Sequence, residues 1–325
     1  MSDKIDHRSC VRRTAIVISF IGGLVCVLLP LGGDLFGAYE PRLEMVSGLR
    51  VQFLLTSCAV FAAAAALHHR WLLVLASVAL GWNAALVLPW YFVRPVPTNA
   101  AEEFKVLSFN VLHQNRRFDD AVALVRREQP LVAIFQEVTP PWPEKLATLR
   151  TDFPHHFRAD ELQMEIFSRV PVEISEITKV GKIRGFGRVH FRQNGSEVVM
   201  FATHPYPQLA LGDEGFRRRN ELLFEVLPRE IKRSGEVPLF VLGDLNATMW
   251  SPGYRSLVRQ SGLNNARQGF GLHPTLGNEQ RWHWLLSVPY DHCLVNSKLI
   301  VTDFRSGPFI GSDHLPIIAT LAIQL

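Results

Sequence analysis

The sequence predicts an α/β domain carried behind a membrane anchor, and three observations predict it. Residues 1–97 are mostly apolar, with long runs of Ala, Leu and Val. From Ala101 onward, short apolar runs alternate with charged and polar segments, the pattern of strands and helices sharing one core. That part has about 225 residues, enough to bury a substantial core. Its apolar runs also end in polar residues of catalytic type, where α/β proteins place their ligands.

The anchor comes first. Met1–Arg13 is polar and carries Lys4, Arg8, Arg12 and Arg13, and Thr14–Gly33 follows without a charge. That length suits a helix crossing a bilayer. A secretory signal would have a shorter apolar region and a small-residue cleavage site, and neither is present. Val51–Leu67 is also uncharged and ends at His68-His69-Arg70. Trp71–Val93 is uncharged and closes on Trp90, Tyr91 and Phe92, aromatics that suit the headgroup region. Three spanning helices are expected, over about 14–33, 51–67 and 71–93. The basic tail belongs in the cytoplasm, Asp34–Arg50 with three acids and two arginines outside, and the short basic His68–Arg70 loop inside. Three crossings leave everything after Arg94 extracytoplasmic, which in a bacterium is the periplasm. Arg94–Glu103 holds two prolines and small polar residues and reads as a linker. The expected division is anchor 1–97, linker 98–103 and soluble domain 104–325.

The net charge of +4 permits a phosphate-bearing substrate without requiring one. Of the four cysteines, only Cys293 lies in the soluble part, so that part closes no internal disulfide, and no Cys/His zinc spacing appears.

In the soluble part, Phe104–Phe109 reads as a strand ending at Asn110. Asp119 reads as the N-cap of a helix running to about Glu128, stopped by Pro130. Leu131–Phe135 is a buried strand with Gln136-Glu137 at its end, and Met164–Phe167 is another, followed by Ser168-Arg169. Val198–Ala202 ends in Thr203-His204. Gly215–Lys232 is helical in pattern and basic on one face through Arg217, Arg218 and Arg219. Pro238–Leu242 is a buried strand that breaks at Gly243 and places Asp244 and Asn246 just beyond. Ser251-Pro252 opens a short helix. Asp291-His292 begins a late strand, and Ser312-Asp313-His314 precedes the last, Leu315–Ile323.

Each polar strand end has an ordinary explanation when taken alone. Gly-Asp-x-Asn is a common turn. Glu137 serves equally as a surface acid, His204 as a satisfied loop histidine, and Asp291-His292 and Asp313-His314 as polar turns. Asp-x-Asn nevertheless pairs a general base with a donor for a developing oxyanion. Six strands ending in such residues are hard to explain by solvation.

The order of these motifs resembles the endonuclease/exonuclease/phosphatase superfamily, over about Phe104–Leu325. The carriers are LSFNV at 107–111, FQEV at 135–138, THP at 203–205, GDLNA at 243–247, YDH at 290–292 and GSDH at 311–314. Any one is weak, and six in family order are strong. Three membrane helices ahead of such a domain look like a bacterial membrane-anchored subgroup. The resemblance implies a four-layer α/β sandwich of two packed sheets with helices outside. It implies a Mg²⁺ (or Mn²⁺) held chiefly by Glu137, with Asn110 and Asp313 assisting. It implies that Asp244 deprotonates the attacking water and that Asn246 bonds the phosphoryl oxygen. His314, oriented by Asp291, would contact the phosphate or protonate the leaving group, and His204 would be a second phosphate contact. Some members carry an acid two residues after the first Asn; here Leu112 stands there, which argues against a second metal.

The reading is therefore a membrane-anchored, metal-dependent phosphoesterase acting on nucleic acid, a phospholipid headgroup or a small phosphoester. Arg169 and Arg217–Arg219 are candidate substrate contacts, with a solvated face as the alternative. The aromatics Trp250, Trp282 and Trp284 and scattered arginines make a weak nucleic-acid groove, so the tether favours a membrane-associated substrate. A catalytically silent binding module is the alternative function. A receptor coupled to ion transport is disfavoured by helices almost free of charge. No protein partner is deducible.

Overall fold

The computed structural model describes residues 2–92, 102–277 and 286–324, with side chains from residue 9 onward. The expected linker lies mostly outside these residues, as do Trp282 and Trp284. The chain divides into two compact units, Met1–Pro89 and Trp90–Leu325.

The first unit is helical: α1 (Ser2–Phe36), α2 (Pro41–Ser47), α3 (Arg50–Ala66) and α4 (Arg70–Val87). Helix α1 is longer than the expected span and takes in the polar residues ahead of Thr14. Two helices are long and apolar enough to cross a membrane, Ser9–Phe36 and Arg70–Tyr91. A third crossing requires α2 and α3 to act as one span, and they are bent by 61°. The expected outer loop Asp34–Arg50 is largely helical. Pro41 starts α2 beneath a Glu40 cap on the Arg42 N–H. Arg50 and Asp34, the two ends of that expected loop, form an ion pair of 2.6 Å in which Arg50 is fully buried and Asp34 partly so.

The second unit is an α/β sandwich of two mixed sheets flanked by helices. Its elements in chain order are β1 (Phe104–Asn110), α5 (Phe118–Glu128), β2 (Val132–Gln136), α6 (Trp142–Leu146), β3 (His155–Ala159), β4 (Met164–Ser168), β5 (Val172–Val180), β6 (Ile183–Gln193) and β7 (Ser196–Thr203). Next come α7 (Gly212–Glu221), α8 (Leu227–Arg233), β8 (Leu239–Asp244), α9 (Pro252–Ser261), β9 (Asn264–Asn265), β10 (Asp291–Val295), β11 (Leu299–Ser306) and β12 (Ile317–Ile323). One sheet runs β11-β12-β1-β2-β4-β3 and the other β5-β6-β7-β8-β10-β9. Strand alternation divides the apolar residues between two layers. Phe104, Val106, Val132 and Ile134 face Val198, Met200, Phe240 and Leu242 across the inter-sheet core. Leu107, Phe109, Ala133 and Phe135 face outward beneath Leu124 and Val125 of α5 and Trp142 of α6.

Two local expectations change. Helix α5 starts one residue before Asp119, with Arg117 at the cap position, so Asp119 sits in the first turn, where its charge suits the helix dipole. The expected helix over 215–232 is α7 and α8 joined by a π-helical turn, Leu222–Val226. The extra residue in that turn rotates α8 about the common axis relative to α7.

The topology gathers the site. Strands β1 and β2 are parallel, as are β7 and β8, and their carboxyl ends lie at one end of the sandwich. Strands β10 and β12 run antiparallel to β8 and β1, so their beginnings arrive at that end, with Asp291 opposite Asp244 and Ile317 opposite Ser108.

Candidate active site

The sharp exit from β8 depends on Gly243. Its φ is +142°, and a Cβ there would overlap the Thr203 carbonyl oxygen, so only glycine allows β7 and β8 to approach this closely. Asp244 is thereby placed fully buried at the strand end. One of its oxygens, Oδ1, accepts the Asn246 N–H at 2.7 Å. The other, Oδ2, accepts the Asn110 amide at 3.2 Å and faces His314 Nε2 at 3.6 Å and His204 Nε2 at 3.7 Å. Burial pushes its pKa up, the Asp291 charge adds to this, and His314 opposes it; the result is about 7.

His314 and Asp291 form the second half of this wall. Nδ1 of His314 donates to Asp291 Oδ2 at 2.8 Å, which leaves Nε2 aimed at Asp244. Burial alone would lower the imidazole pKa, but the Asp291 and Asp244 carboxylates outweigh it and raise it to about 10. The imidazolium is thus the stable form at neutral pH.

His204 is the opposite case. Burial, then the positive charges of Arg184 and His314, hold its pKa well below the ordinary value. Arg184 Nη1 lies 3.0 Å from its Nδ1, and a guanidinium only donates. Nδ1 is therefore the acceptor, and the ring proton sits on Nε2. That N–H is buried without a hydrogen-bond partner and points between Glu137 and Asp244, 3.9 and 3.7 Å away. Two histidines at one cleft thus carry opposite protonation states, set by opposite neighbours.

Glu137 follows β2 with a left-handed backbone, φ +59°, as does Asn246 at +48°. Left-handed non-glycine residues cost about 1 kcal/mol or more and persist where their surroundings fix them. The Glu137 side chain is 23% exposed and accepts from Asn110 at 3.2 Å and His113 at 3.3 Å. Asp313 is half-buried, with Ser312 Oγ 3.3 Å from its carboxylate. Ser312 also donates to the Asn110 carbonyl oxygen at 2.7 Å and accepts the His314 N–H at 3.0 Å, tying β1 to the loop that carries His314.

The structure therefore brings Asn110, Glu137, His204, Asp244, Asn246, Asp291, Asp313 and His314 to one end of the sandwich. It does not bring Arg169 there. Arg169 follows Ser168, which pairs with Val132 at the start of β2, and Glu137 lies beyond the other end of that strand. Its guanidinium stacks on Phe153. Arg217 and Arg218 pair with Glu214 on the surface of α7. Arg219 instead is fully buried and donates to the Asn246 carbonyl oxygen at 2.7 Å, beside Gln208 at 2.8 Å.

Sequence reasoning missed Arg184, Gln208 and Arg267, and it missed the buried role of Arg219. Arg267 is buried and donates to the backbone carbonyl of Asp291. None of the four carries a motif, and only Arg219 stood in a segment singled out for its charge. His292, read with Asp291 as a turn pair, is buried and bonds Asn265 and the Ala247 carbonyl, bracing the Asp244–Ala247 turn from outside the cleft.

The cleft carries Glu137, Asp244, Asp291 and Asp313. Glu137, Asn110 and Asp313 offer hard oxygen donors, and Glu137 and Asp313 are the two carboxylates partly open to solvent. That donor set fits a hard divalent cation. Asp244, Asp291 and His314 also offer atoms within 4.8 Å of one another. There, however, Asp291 and His314 are engaged with each other, which suits proton handling better than coordination.

Solved structures of the same fold include D. rerio TDP2 complexed with a single-strand DNA product, 16% identical, covering 68% of this chain and 99% of that one, TM-score 0.56. Sphingomyelinase C from Streptomyces griseocarneus is 14% identical over 68% and 99% of the two chains, TM-score 0.50. Staphylococcus aureus beta toxin with bound magnesium ions is 17% identical over 67% and 99%, TM-score 0.51. No curated protein matches the chain. The pattern of the Endonuclease/Exonuclease/phosphatase family matches residues 107–314, more than half of the chain and all of the cleft residues named above, and the chain belongs to that family.

Proposed function

We propose that this chain is a membrane-anchored, divalent-metal-dependent phosphoesterase that hydrolyses its substrate by water attack at phosphorus. The observation that carries the proposal is the pairing of Asp244, held near neutrality, with an imidazolium at His314 oriented by Asp291. A base and an acid poised across one cleft suit general acid–base hydrolysis.

In this reading Asp244 takes the proton of the attacking water, and Asn246 donates to the phosphoryl oxygen as charge builds. His314 protonates the leaving oxygen, and Asp291 fixes its tautomer. The buried Nε2–H of His204 finds its missing acceptor in a second phosphate oxygen. Glu137, Asn110 and Asp313 would hold Mg²⁺ or Mn²⁺, which supplies charge neutralisation at the phosphate. The magnesium of the beta toxin, the single-strand DNA product in the TDP2 structure and the name of sphingomyelinase C agree with this class. Residues 1–97 serve as the anchor, crossing the bilayer three times with a cytoplasmic N-terminus. The linker over 98–103 then carries the 104–325 catalytic domain outside the cytoplasm, as in a bacterial membrane-anchored subgroup.

The test is turnover of bis-p-nitrophenyl phosphate, plasmid DNA and a phospholipid panel by the full chain, with Mg²⁺, Mn²⁺ or EDTA. Metal-dependent hydrolysis that Asp244→Asn abolishes is the expected result. Activity equal in EDTA and Mg²⁺ would overturn the metal-dependent reading.

A further inference from the structure

The exposed apolar side chains of the second unit are not scattered. Among the described residues from 102 onward, the large exposed hydrophobics are Leu209, Leu211, Phe270, Leu286 and Phe309, with exposures from 36% at Phe270 to 66% at Leu286. All five lie in connections at the end of the sandwich that holds the cleft. Leu209 and Leu211 stand between His204 and α7. Phe270 is bonded through its N–H to the carbonyl of Arg267, whose guanidinium holds the Asp291 carbonyl. Leu286 precedes Val288 and Asp291, and Phe309 lies between β11 and Ser312. The turns at the other end, Asn194-Gly195, Gly235-Glu236 and Asn296–Lys298, carry none. Leu211 also lines a groove of about 650 Å³ with Ile183 and Tyr206, and Tyr206 lies under the Arg184 guanidinium that bonds His204.

We infer that this ring of apolar side chains around the cleft is a bilayer-docking surface, which seats the active site on lipid and presents it with phosphoesters at the membrane surface. The inference rests on the phosphoesterase reading and names where its substrate lies. Two observations select a bilayer as the occupant. The apolar helix Arg70–Tyr91 precedes β1 at Phe104 by so few residues that the connection reaches at most about 45 Å even when fully extended. The second unit also begins at Trp90, whose carbonyl accepts the N–H groups of Gly269 and Gly271, the residues on either side of Phe270. Apolar side chains clustered on one face and absent from the other are the pattern of a surface that inserts shallowly into the headgroup boundary.

The test uses the full chain in proteoliposomes of phosphatidylcholine containing nitroxide-labelled lipid. Cys10 and Cys58 are exposed and are replaced by Ser, while the buried Cys26 and Cys293 remain. A fluorophore is attached at Leu211→Cys, at Phe309→Cys, or at Lys298→Cys on the far end. Lipid quenching at 211 and 309 but not at 298 is expected. No quenching at 211 and 309 overturns the inference, whether a second copy or nothing at all covers those residues. Equal quenching at all three sites overturns it as well. Hydrolysis of soluble bis-p-nitrophenyl phosphate by the same samples reports the chemistry separately. Its absence would count against the phosphoesterase and leave the docking result standing on the quenching alone.

Discussion

The two walls of the cleft are built on different terms. The wall from the β7, β8 and β10 sheet carries His204, Asp244, Asn246 and Asp291, all buried. Its charges are aimed by buried arginines: Arg184 at His204, Arg219 at the Asn246 carbonyl and Arg267 at the Asp291 carbonyl. The wall from the β1, β2 and β12 sheet is looser. Glu137 and Asp313 are partly exposed, and Glu137 is held by one amide and one exposed histidine. His314 grows from the looser wall but is captured by Asp291 of the rigid one. On the proposed phosphoesterase reading, the difference separates two tasks. Proton transfer needs fixed donors and acceptors in a dry setting, where their pKa values can be moved far. Holding a hydrated cation needs accessible oxygens, and partial exposure serves that.

The largest effect is expected on the rigid wall. Asp244→Asn keeps the shape and removes the base, and hydrolysis should fall by roughly 100- to 10,000-fold, the range of a lost general base. Asp291→Asn should act through His314. Because the imidazole is raised to about 10 and Asp244 to about 7, a rate that needs His314 as the acid and Asp244 as the base rises through about pH 7 and falls as pH rises through about 10. Removing the Asp291 charge takes away the first of the influences that raise it, so the alkaline limb should move to lower pH and kcat should drop. The sign for stability agrees. A folded-state pKa above the ordinary 6.5 contributes stability that is complete below that value and lost as pH rises towards about 10. Denaturant midpoints of the two proteins at pH 7 and pH 10 check it. An unchanged alkaline limb in Asp291→Asn would mean that the pair does not govern the acid step.

On the open wall, Glu137→Ala should act on the cation rather than on the proton. The Mg²⁺ needed for half-maximal activity should rise by about 10- to 100-fold, with much of kcat restored at high Mg²⁺. Calorimetry with Mn²⁺ should show weaker binding to Glu137→Ala and nearly unchanged binding to Asp244→Asn. Equal loss in both variants would erase the distinction between the walls.

Legibility in the sequence divides along the same line. Strand ends can be read because apolar runs have a period and stop at a polar residue, which exposes Asn110, Glu137, His204, Asp244 and Asp291. The helical boundaries cannot, because Arg117 caps without a capping side chain and the π turn at Leu222–Val226 leaves no pattern in composition. Arg169 is misplaced by sequence alone because adjacency to a strand does not say which end of the sheet the strand presents; antiparallel pairing of β4 with β2 sends it away. The buried arginines are invisible for a simpler reason. Arg184 and Arg267 reach their partners across the fold, and a single arginine among many gives no spacing to read.

Arg217, Arg218 and Arg219 make the sharpest case, because three identical residues in a row have different fates. The first two pair with Glu214 on an exposed face, where such pairs contribute little. Arg219 turns inward one step along the helix, just before the π turn, and its guanidinium helps hold Asn246 in its left-handed backbone. Gln208 bonds the same carbonyl, so that oxygen keeps a partner when Arg219 is removed. The loss should therefore be modest: Arg219→Met is expected to lower kcat about fivefold, near 1 kcal/mol, with KM little changed. Arg217→Met should leave both within about twofold. The comparison separates aiming from general destabilisation, because a merely unstable Arg219→Met would lose active protein on standing while its surviving molecules kept normal kcat. If active-site titration showed full kcat per competent molecule, the rigid wall would owe its rigidity to Gln208 and the Gly243 turn rather than to Arg219.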